Sequence, residues 1–517
     1  MTTDAKQATI KRVAALDLGS NSFHLLVADV ASDGTVTPVL RTKEMLRLGD
    51  TVARTGEIGD RLPEVLATLR RLRAFIDATG AQDVVACATS ALRDATDQRE
   101  VVQRAAAETG IDISVIPGLE EARLIFEAVR ASVLLEPAPA LCLDLGGGSL
   151  EITVGDVSGA CWSRSVALGV GRLTADCVTG DPLTKADARR LQVAIAAELE
   201  PLRDEITGYA PRMLVGTSGT LSDLAALAVA RRDGAPPRSL HQVRVRREEL
   251  EAVHADLAGM STAQRSQLPQ LEPRRAEVVV AGSTVLLAAM RMFDLDAMTV
   301  GEWALREGML LDAAGGAPAP EGIRRTSVME LGHRYGWPEN HSRHVAALAT
   351  SLFDQTTALH DLGDGPRELL EYGALLHDIG GHISAEDTEQ HTAYLIEHAR
   401  LRGFDPAEIA VLACLGRYHR KGKPRAEFAP YAALSPDDRR CVEVLVGLLR
   451  LAHGLDHARA GAVAGVRVGT DDDEVVVTVT ATGSDVDLEL WGAERAGKSF
   501  VRAFGRELRI DGAGSGA

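Results

Sequence analysis

Ala15-Leu-Asp-Leu-Gly-Ser-Asn-Ser22 and Cys142-Leu-Asp-Leu-Gly-Gly-Gly-Ser149 read alike: an apolar run, an aspartate, then a turn of small residues. Each predicts a buried strand that carries a carboxylate into a tight turn, with Phe23–Val30 and Glu151–Asp156 as the returning strands. Small side chains let backbone N–H groups approach phosphate oxygens closely. Asp17 and Asp144 supply the oxygen ligands that Mg2+ prefers when phosphate shares its coordination. A single turn of this kind is ordinary in a hairpin. Two of them predict a duplicated fold with one phosphate-gripping turn per lobe.

Around these turns, β-branched runs alternate with helical patterns, which is the α/β signature. Val13–Leu18, Asp83–Ala88, Ile111–Ile116, Leu141–Leu145 and Arg212–Val215 read as further strands. Leu62, Val65, Leu66, Leu69, Leu72 and Ile76 follow the spacing of an amphipathic helix that Gly80 ends. A third turn, Val215-Gly-Thr-Ser-Gly-Thr220, precedes the helical Leu221–Ala230, where N-terminal backbone donors favour an anion and where a plain Ser/Thr cap is the alternative.

The small-residue stretch from Ala313 to Gly322 suppresses both periodicities and is expected to be an interdomain linker. Most of the 14 histidines lie beyond it. There the pattern becomes helical: Val345, Leu348, Ala349 and Leu352 share a face, and Leu369–Leu376, Thr392–Leu401 and Cys441–Leu451 follow. Strand-like runs within Val466–Leu490 predict a small β-containing terminal piece. The boundaries expected are 11–130 and 131–312 for two lobes, 313–322 for the linker, 323–460 for a helical domain and 461–517 for a small α+β region.

The chain has 517 residues, enough for several domains, and a net charge of −17. That balance argues against unaided binding to nucleic acid or anionic membrane, so the positive groups that meet a polyanion must be local. No run approaches the roughly 20 apolar residues of a membrane span, and the first ten residues lack the apolar stretch of a signal peptide, so a cytoplasmic protein is expected. Six scattered cysteines with no CxxC pair support neither a zinc knuckle nor a disulfide framework.

With Ala88-Thr-Ser-Ala-Leu-Arg93, Ile116-Pro-Gly-Leu-Glu-Glu-Ala-Arg-Leu-Ile125, Gly216-Thr-Ser-Gly-Thr220 and Leu305-Arg-Glu-Gly308 in the same order as the two DLG turns, the chain resembles the exopolyphosphatase/guanosine pentaphosphate phosphatase family from residue 11 to about 312. The resemblance implies two actin-like (ribonuclease H-like) ATPase lobes, followed by an all-α HD-like domain and the small β-containing piece. It implies hydrolysis of terminal phosphoanhydrides, of inorganic polyphosphate or alternatively of pppGpp, with Mg2+ or Mn2+ as its substitute, by a homodimer. An actin-like nucleotide-binding sensor without hydrolysis is the alternative of another class.

By motif position, Glu121 is the base that activates water, and its neighbour Glu120 is left as a helix residue. Asp17, Asp144 and Glu151 are the metal residues. Ser20, Asn21, Ser22, Gly146, Gly147, Gly148, Ser149, Gly216, Ser218, Gly219 and Thr220 are the phosphate-binding turns, while Arg93 and Arg275 hold phosphate, with Lys43 and Arg47 adding charge. Gly301-Glu-Trp303 stands where the family commonly has a Ser-Asp pair.

The second half resembles the HD phosphohydrolase superfamily through His341-Ser-Arg-His-Val345, Leu375-Leu-His-Asp-Ile-Gly-Gly-His382 and Tyr418-His-Arg-Lys421. That resemblance implies His341, His377 and Asp378 as metal residues. His453 stands where a distant aspartate is expected, with Asp456 as the other candidate. The basic run His419-Arg-Lys-Gly-Lys-Pro-Arg425 reads either as a docking surface for a long polyanion or as a solvated loop.

Overall fold

The structure is a computed structural model that describes residues 10–31, 35–235, 239–316, 322–471, 473–483 and 485–512. Its contacts divide into two compact units that meet at Glu321 and Gly322. Of the expected linker, 317–321 lies outside the described residues, and Ala313 still belongs to the helix Leu305–Ala313.

The first unit holds two sheets. Strands β1 (Ile10–Leu18), β2 (Ser22–Ala31), β3 (Val36–Met45), β4 (Asp83–Ala88) and β5 (Ile113–Val115) form one in the order β3-β2-β1-β4-β5. The other comprises β6 (Ala140–Leu145), β7 (Leu150–Asp156), β8 (Gly159–Val166), β9 (Met213–Thr217), β10 (Arg244–Arg246) and β11 (Ala297–Val300), ordered β10-β11-β9-β6-β7-β8. Each begins as an antiparallel meander, β1 to β3 or β6 to β8, and then adds parallel strands beside its first member. The repeated DLG reading is therefore a repeated topology. β3 was not legible as a strand because Pro38 lies within it, which an edge position tolerates since no ladder donor is needed there.

Two helices exchange sides. The helix Gly118–Arg130 follows the first sheet in sequence yet packs on β7 and β8, and Leu305–Ala313 follows the second sheet yet packs on β1 and β2. They cross where Gly308 lets the backbones touch: a Cβ there would stand 2.0 Å from the Leu124 carbonyl oxygen. Val13, Ala15, Ile125, Phe126, Cys142, Val215, Leu305 and Met309 share one core through this crossing. The expected boundary at 130/131 falls at the end of the helix Gly118–Arg130, which packs on the second sheet.

The second unit is helical around one apolar core and closes with β12 (Val463–Thr470), β13 (Glu474–Ala481) and β14 (Glu507–Gly512) in a three-stranded sheet. The helix Asp487–Phe504 connects β13 to β14 and buries Phe500. Among the described residues, no helix is long and apolar enough to cross a membrane.

Candidate active site

Both DLG turns open into one cleft of about 750 Å³ in the first unit. Register sets its floor. Asp17 ends β1 opposite His24 of β2, and Asp144 ends β6 opposite Glu151 of β7. The same two-strand device therefore presents Asp and His in one lobe, Asp and Glu in the other.

The turns approach one another so closely that only glycine fits. A Cβ on Gly147 would lie 2.8 Å from Asn21 Nδ2, and one on Gly148 would lie 2.1 Å from Ser90 Oγ and 3.0 Å from Ser20 Oγ. The third turn is held under strain: Ser218 has φ +94°, unusual for a residue with a side chain, and its Oγ accepts from Leu221 N at 3.4 Å to start the helix Gly219–Asp233. Gly219 gives way to Arg275, whose Nη2 would be 2.0 Å from an added Cβ.

Of the residues the sequence singled out, Asp17, Ser20, Asn21, Ser22, Glu121, Asp144, Gly146, Gly147, Gly148, Ser149, Ser218, Gly219, Thr220 and Arg275 line the cleft. Three do not. Gly216 lies within β9, where a Cβ would meet Met298 Sδ at 2.3 Å, so its part is packing. Glu151 is buried behind Asp144 and accepts from Ser165 Oγ at 2.7 Å. Arg93 Nη1 donates to the Ile116 carbonyl at 2.9 Å and to Glu121 Oε2 at 3.1 Å, which places the guanidinium beside the cleft wall, against the glutamate.

Glu121 lies in the first turn of the helix Gly118–Arg130. Arg93 takes its Oε2, which leaves Oε1 without a partner among the described residues. Burial and then the neighbouring Glu151 raise its proton affinity well above the ordinary carboxylate range, against the pull of Arg93. Glu120 differs: it points to Arg123, which donates to it at 2.6 Å, and that hydrogen bond lowers its pKa.

The other carboxylates behave as a strained set. Burial, with Asp144 and Glu307 adding repulsion against the pull of Arg306, pushes Asp17 up to about 7. Burial and Asp144 push Glu151 to about 7. Asp144 is raised by burial, with Thr217 Oγ1 donating to its Oδ2 at 2.7 Å in opposition. Such a set of oxygen donors, each discouraging the charge of the next, fits a hard divalent cation, which would restore their ionisation.

The positive groups are engaged. Arg275 donates to Gly219 O at 3.1 Å and Asp223 Oδ2 at 2.8 Å, and pairs with Glu272 at 2.9 Å. Lys43 meets the same Glu272 at 3.2 Å, and Arg47 meets Glu277 at 2.9 Å, so two ion pairs span the sheets beside the cleft. Glu302, from the departure Gly301-Glu-Trp303, turns outward to accept from Leu240 N at 3.4 Å and does not line the cleft.

Sequence reasoning missed His24, Ser90 and Arg306. Arg306 Nη1 lies 3.3 Å from His24 Nδ1, and His24 Nε2 lies 2.6 Å from Ser22 Oγ. Because a guanidinium only donates, Nδ1 accepts, the hydrogen sits on Nε2 and Ser22 Oγ receives it. Burial and the charges of Arg306, Lys43 and Arg275 press the imidazole down to about 3, keeping it neutral. The signal was the register: His24 stands where the other lobe has Glu151.

The basic run of the second unit is not a free patch. His419 is buried, Arg420 reaches Asp378 at 3.3 Å and Lys421 reaches Glu389 at 2.7 Å, while Lys423 and Arg425 are exposed.

The fold and site define a two-lobed α/β protein whose cleft sets buried carboxylates beneath three Gly/Ser turns. The model of the Ppx/GppA phosphatase family matches residues 26–316, and that of Ppx/GppA phosphatase domain III matches 323–485. The chain is 34% identical over 328 residues to Exopolyphosphatase 1 of Mycobacterium tuberculosis, covering 62% of this chain and 95% of that protein. The Mycobacterium leprae protein of the same name is 32% identical over 327 residues, with 62% and 96% covered. Among solved structures, an exopolyphosphatase from Cytophaga hutchinsonii superposes with a TM-score of 0.56 at 27% identity, over 59% of this chain and 98% of that one. The Aquifex aeolicus member gives 0.51 at 29%, with the same coverage. The chain belongs to the Ppx/GppA phosphatase family.

Proposed function

We propose that this chain is an exopolyphosphatase, releasing orthophosphate from the ends of inorganic polyphosphate with Mg2+, or Mn2+ in its place. The carrying observation is the cleft itself: three Gly/Ser turns converge on buried carboxylates, with Glu121 held at the wall by Arg93. The turn N–H groups, with Ser22 and Thr220, receive the terminal phosphate, and Lys43, Arg275 and Arg306 offset its charge. Glu121 Oε1 orients the attacking water and takes its proton, while Arg93 fixes the carboxylate and opposes its protonation. Asp17 and Asp144, with Glu151 paired beside Asp144, would hold a divalent cation, which would supply charge neutralisation at the phosphates. Because Glu121 must be ionised and its affinity for a proton is raised, turnover falls as pH drops through that raised value.

Polyphosphate is favoured over pppGpp because, among the described residues, the cleft wall has no Phe, Tyr or Trp on which a guanine would stack. The relatives named above are also exopolyphosphatases. The test is kcat/KM for orthophosphate release from long polyphosphate against pppGpp. The expected result favours polyphosphate; the reverse preference overturns the substrate, and release from neither overturns the reading as a hydrolase.

A further inference from the structure

The second unit brings His341, His377 and His453 together and sets Asp378 against Nε2 of His341, His377 and His419 at 4.0, 3.9 and 3.5 Å, so the residues that the HD resemblance implies do meet. The cleft of the first unit holds an arrangement that no motif announced.

Lys43 and Arg275 line that cleft from opposite lobes and share one acid. Register puts Lys43 of β3 opposite His24 of β2, and His24 opposite Asp17 of β1, so the lysine stands in the row that carries the first aspartate. Arg275 belongs to the short turn Pro273–Arg275 and lies against the third Gly/Ser turn, where the Gly219 carbonyl accepts from its Nη1 at 3.1 Å. Glu272 joins the two. Its carboxylate accepts from Lys43 Nζ with both oxygens, at 3.3 and 3.2 Å, and its Oε2 lies 2.9 Å from Arg275 Nη2. Among the described residues, Lys43 pairs with no other acid.

The two acids on Arg275 are held differently. Asp223, its side chain 14% exposed, accepts from Arg275 Nη1 at 2.8 Å and from the backbone N–H of Glu272 at 3.2 Å. It therefore fixes both the guanidinium and the Glu272 main chain, whatever the Glu272 side chain does. The Glu272 side chain is 32% exposed and rests on the two cations alone. Ion pairs this wet contribute little, so rotation of that side chain into solvent costs little and leaves Arg275 oriented by Asp223. A phosphate oxygen offers the freed donors the same charge-assisted bonds as the carboxylate.

We infer, on the reading of the cleft as a phosphate site, that Glu272 is an internal anion occupying a phosphate subsite formed by Lys43 and Arg275, and that an arriving phosphate must replace it. Its presence lowers the affinity of every anion that uses the two cations by one common factor. A long polyphosphate has further phosphates with which to bind. Orthophosphate has none, so the product is held weakly and leaves. Glu272 thus sets how tightly phosphate is retained and takes no part in breaking the bond.

Calorimetric titration of inorganic phosphate into the full chain with Mg2+ reads this affinity directly, because orthophosphate is not turned over. Glu272→Gln should bind it about 3–10-fold more tightly, the scale of one or two partly exposed ion pairs, and Glu272→Ala should shift in the same direction. Glu277→Gln is the control: it breaks the other ion pair beside the cleft, Arg47 with Glu277 at 2.9 Å, frees neither Lys43 nor Arg275, and should stay within about two-fold. In a Lys43→Met background the gain from Glu272→Gln should shrink, since one of the two freed cations is gone. Circular dichroism checks the fold of each variant. Phosphate affinity unchanged or weakened in both Glu272 variants overturns the inference, as does an equal gain in Glu277→Gln or an undiminished gain in the Lys43→Met background. Orthophosphate release from polyphosphate by the parent is scored separately: its absence overturns the exopolyphosphatase reading, while the titration still decides the role of Glu272.

Discussion

Replacing Glu121 by Gln separates catalysis from stability. The amide keeps the size of the side chain, and its carbonyl oxygen still accepts from Arg93 Nη1, the 3.1 Å contact that positions the native carboxylate. It cannot take a proton from water. A general base contributes about 10²–10⁴-fold, or roughly 3–5 kcal/mol of barrier, and kcat should fall by that factor with KM changed little. Stability should move the other way. Burial and Glu151 disfavour the native charge, so a neutral amide relieves that cost, and the variant should melt at or above the temperature of the parent near pH 8. Glu120→Gln is the matched control. It loses only its pairing with Arg123 on the same helix and should stay within about two-fold in rate. The assay is colorimetric orthophosphate release beside a thermal melt. Activity of Glu121→Gln within a few-fold of the parent refutes the assignment, as does an equal loss in Glu120→Gln; a melt well below the parent shows that Glu121 is structural.

Gly308→Ala should destabilise the first unit by about 1–3 kcal/mol in denaturant unfolding, because its Cβ meets the Leu124 backbone oxygen at 2.0 Å and neither helix can yield alone. Asp17 and Glu151, whose pKa values rise to about 7 on folding, bind protons more tightly folded than unfolded. Metal-free protein should therefore lose stability as pH rises from about 4 to 7, and added Mg2+ should flatten that slope in pH-resolved melts. His24→Ala removes the 2.6 Å bond to Ser22 Oγ and should lower kcat/KM roughly five-fold, the scale of one hydrogen bond, with no shift in the pH profile because the ring is neutral throughout.

The elements that hold the cleft were legible wherever one local rule decided them. An apolar run that ends in Asp and small residues has few options, so both aspartates and their turns follow from the chain alone. The amphipathic helix is as clear: it runs Leu62–Thr79 and ends at Gly80, whose φ of +68° only glycine takes freely. What stayed hidden depends on partners distant in sequence. Arg93 meets Glu121 at the cleft wall because the helix carrying Glu121 crosses to the other sheet, and periodicity does not record that exchange. His24 acquires its role from its strand register and from Arg306, 282 positions away. The run His419–Arg425 looked like free charge because ion pairs with Asp378 and Glu389 form only once the helices Asp364–Leu376, Thr388–His398 and Pro406–Tyr418 assemble.

The central claim is end-wise cleavage in the cleft of the first unit, and the size distribution of products early in the reaction tests it most directly. Long polyphosphate of defined length, incubated with the full chain and Mg2+ and resolved by gel at a few percent turnover, should yield orthophosphate beside chains of nearly full length, with no bands between, and Glu121→Gln should yield neither product. Intermediate-length fragments at that stage, or an unchanged ladder from Glu121→Gln, would contradict the account.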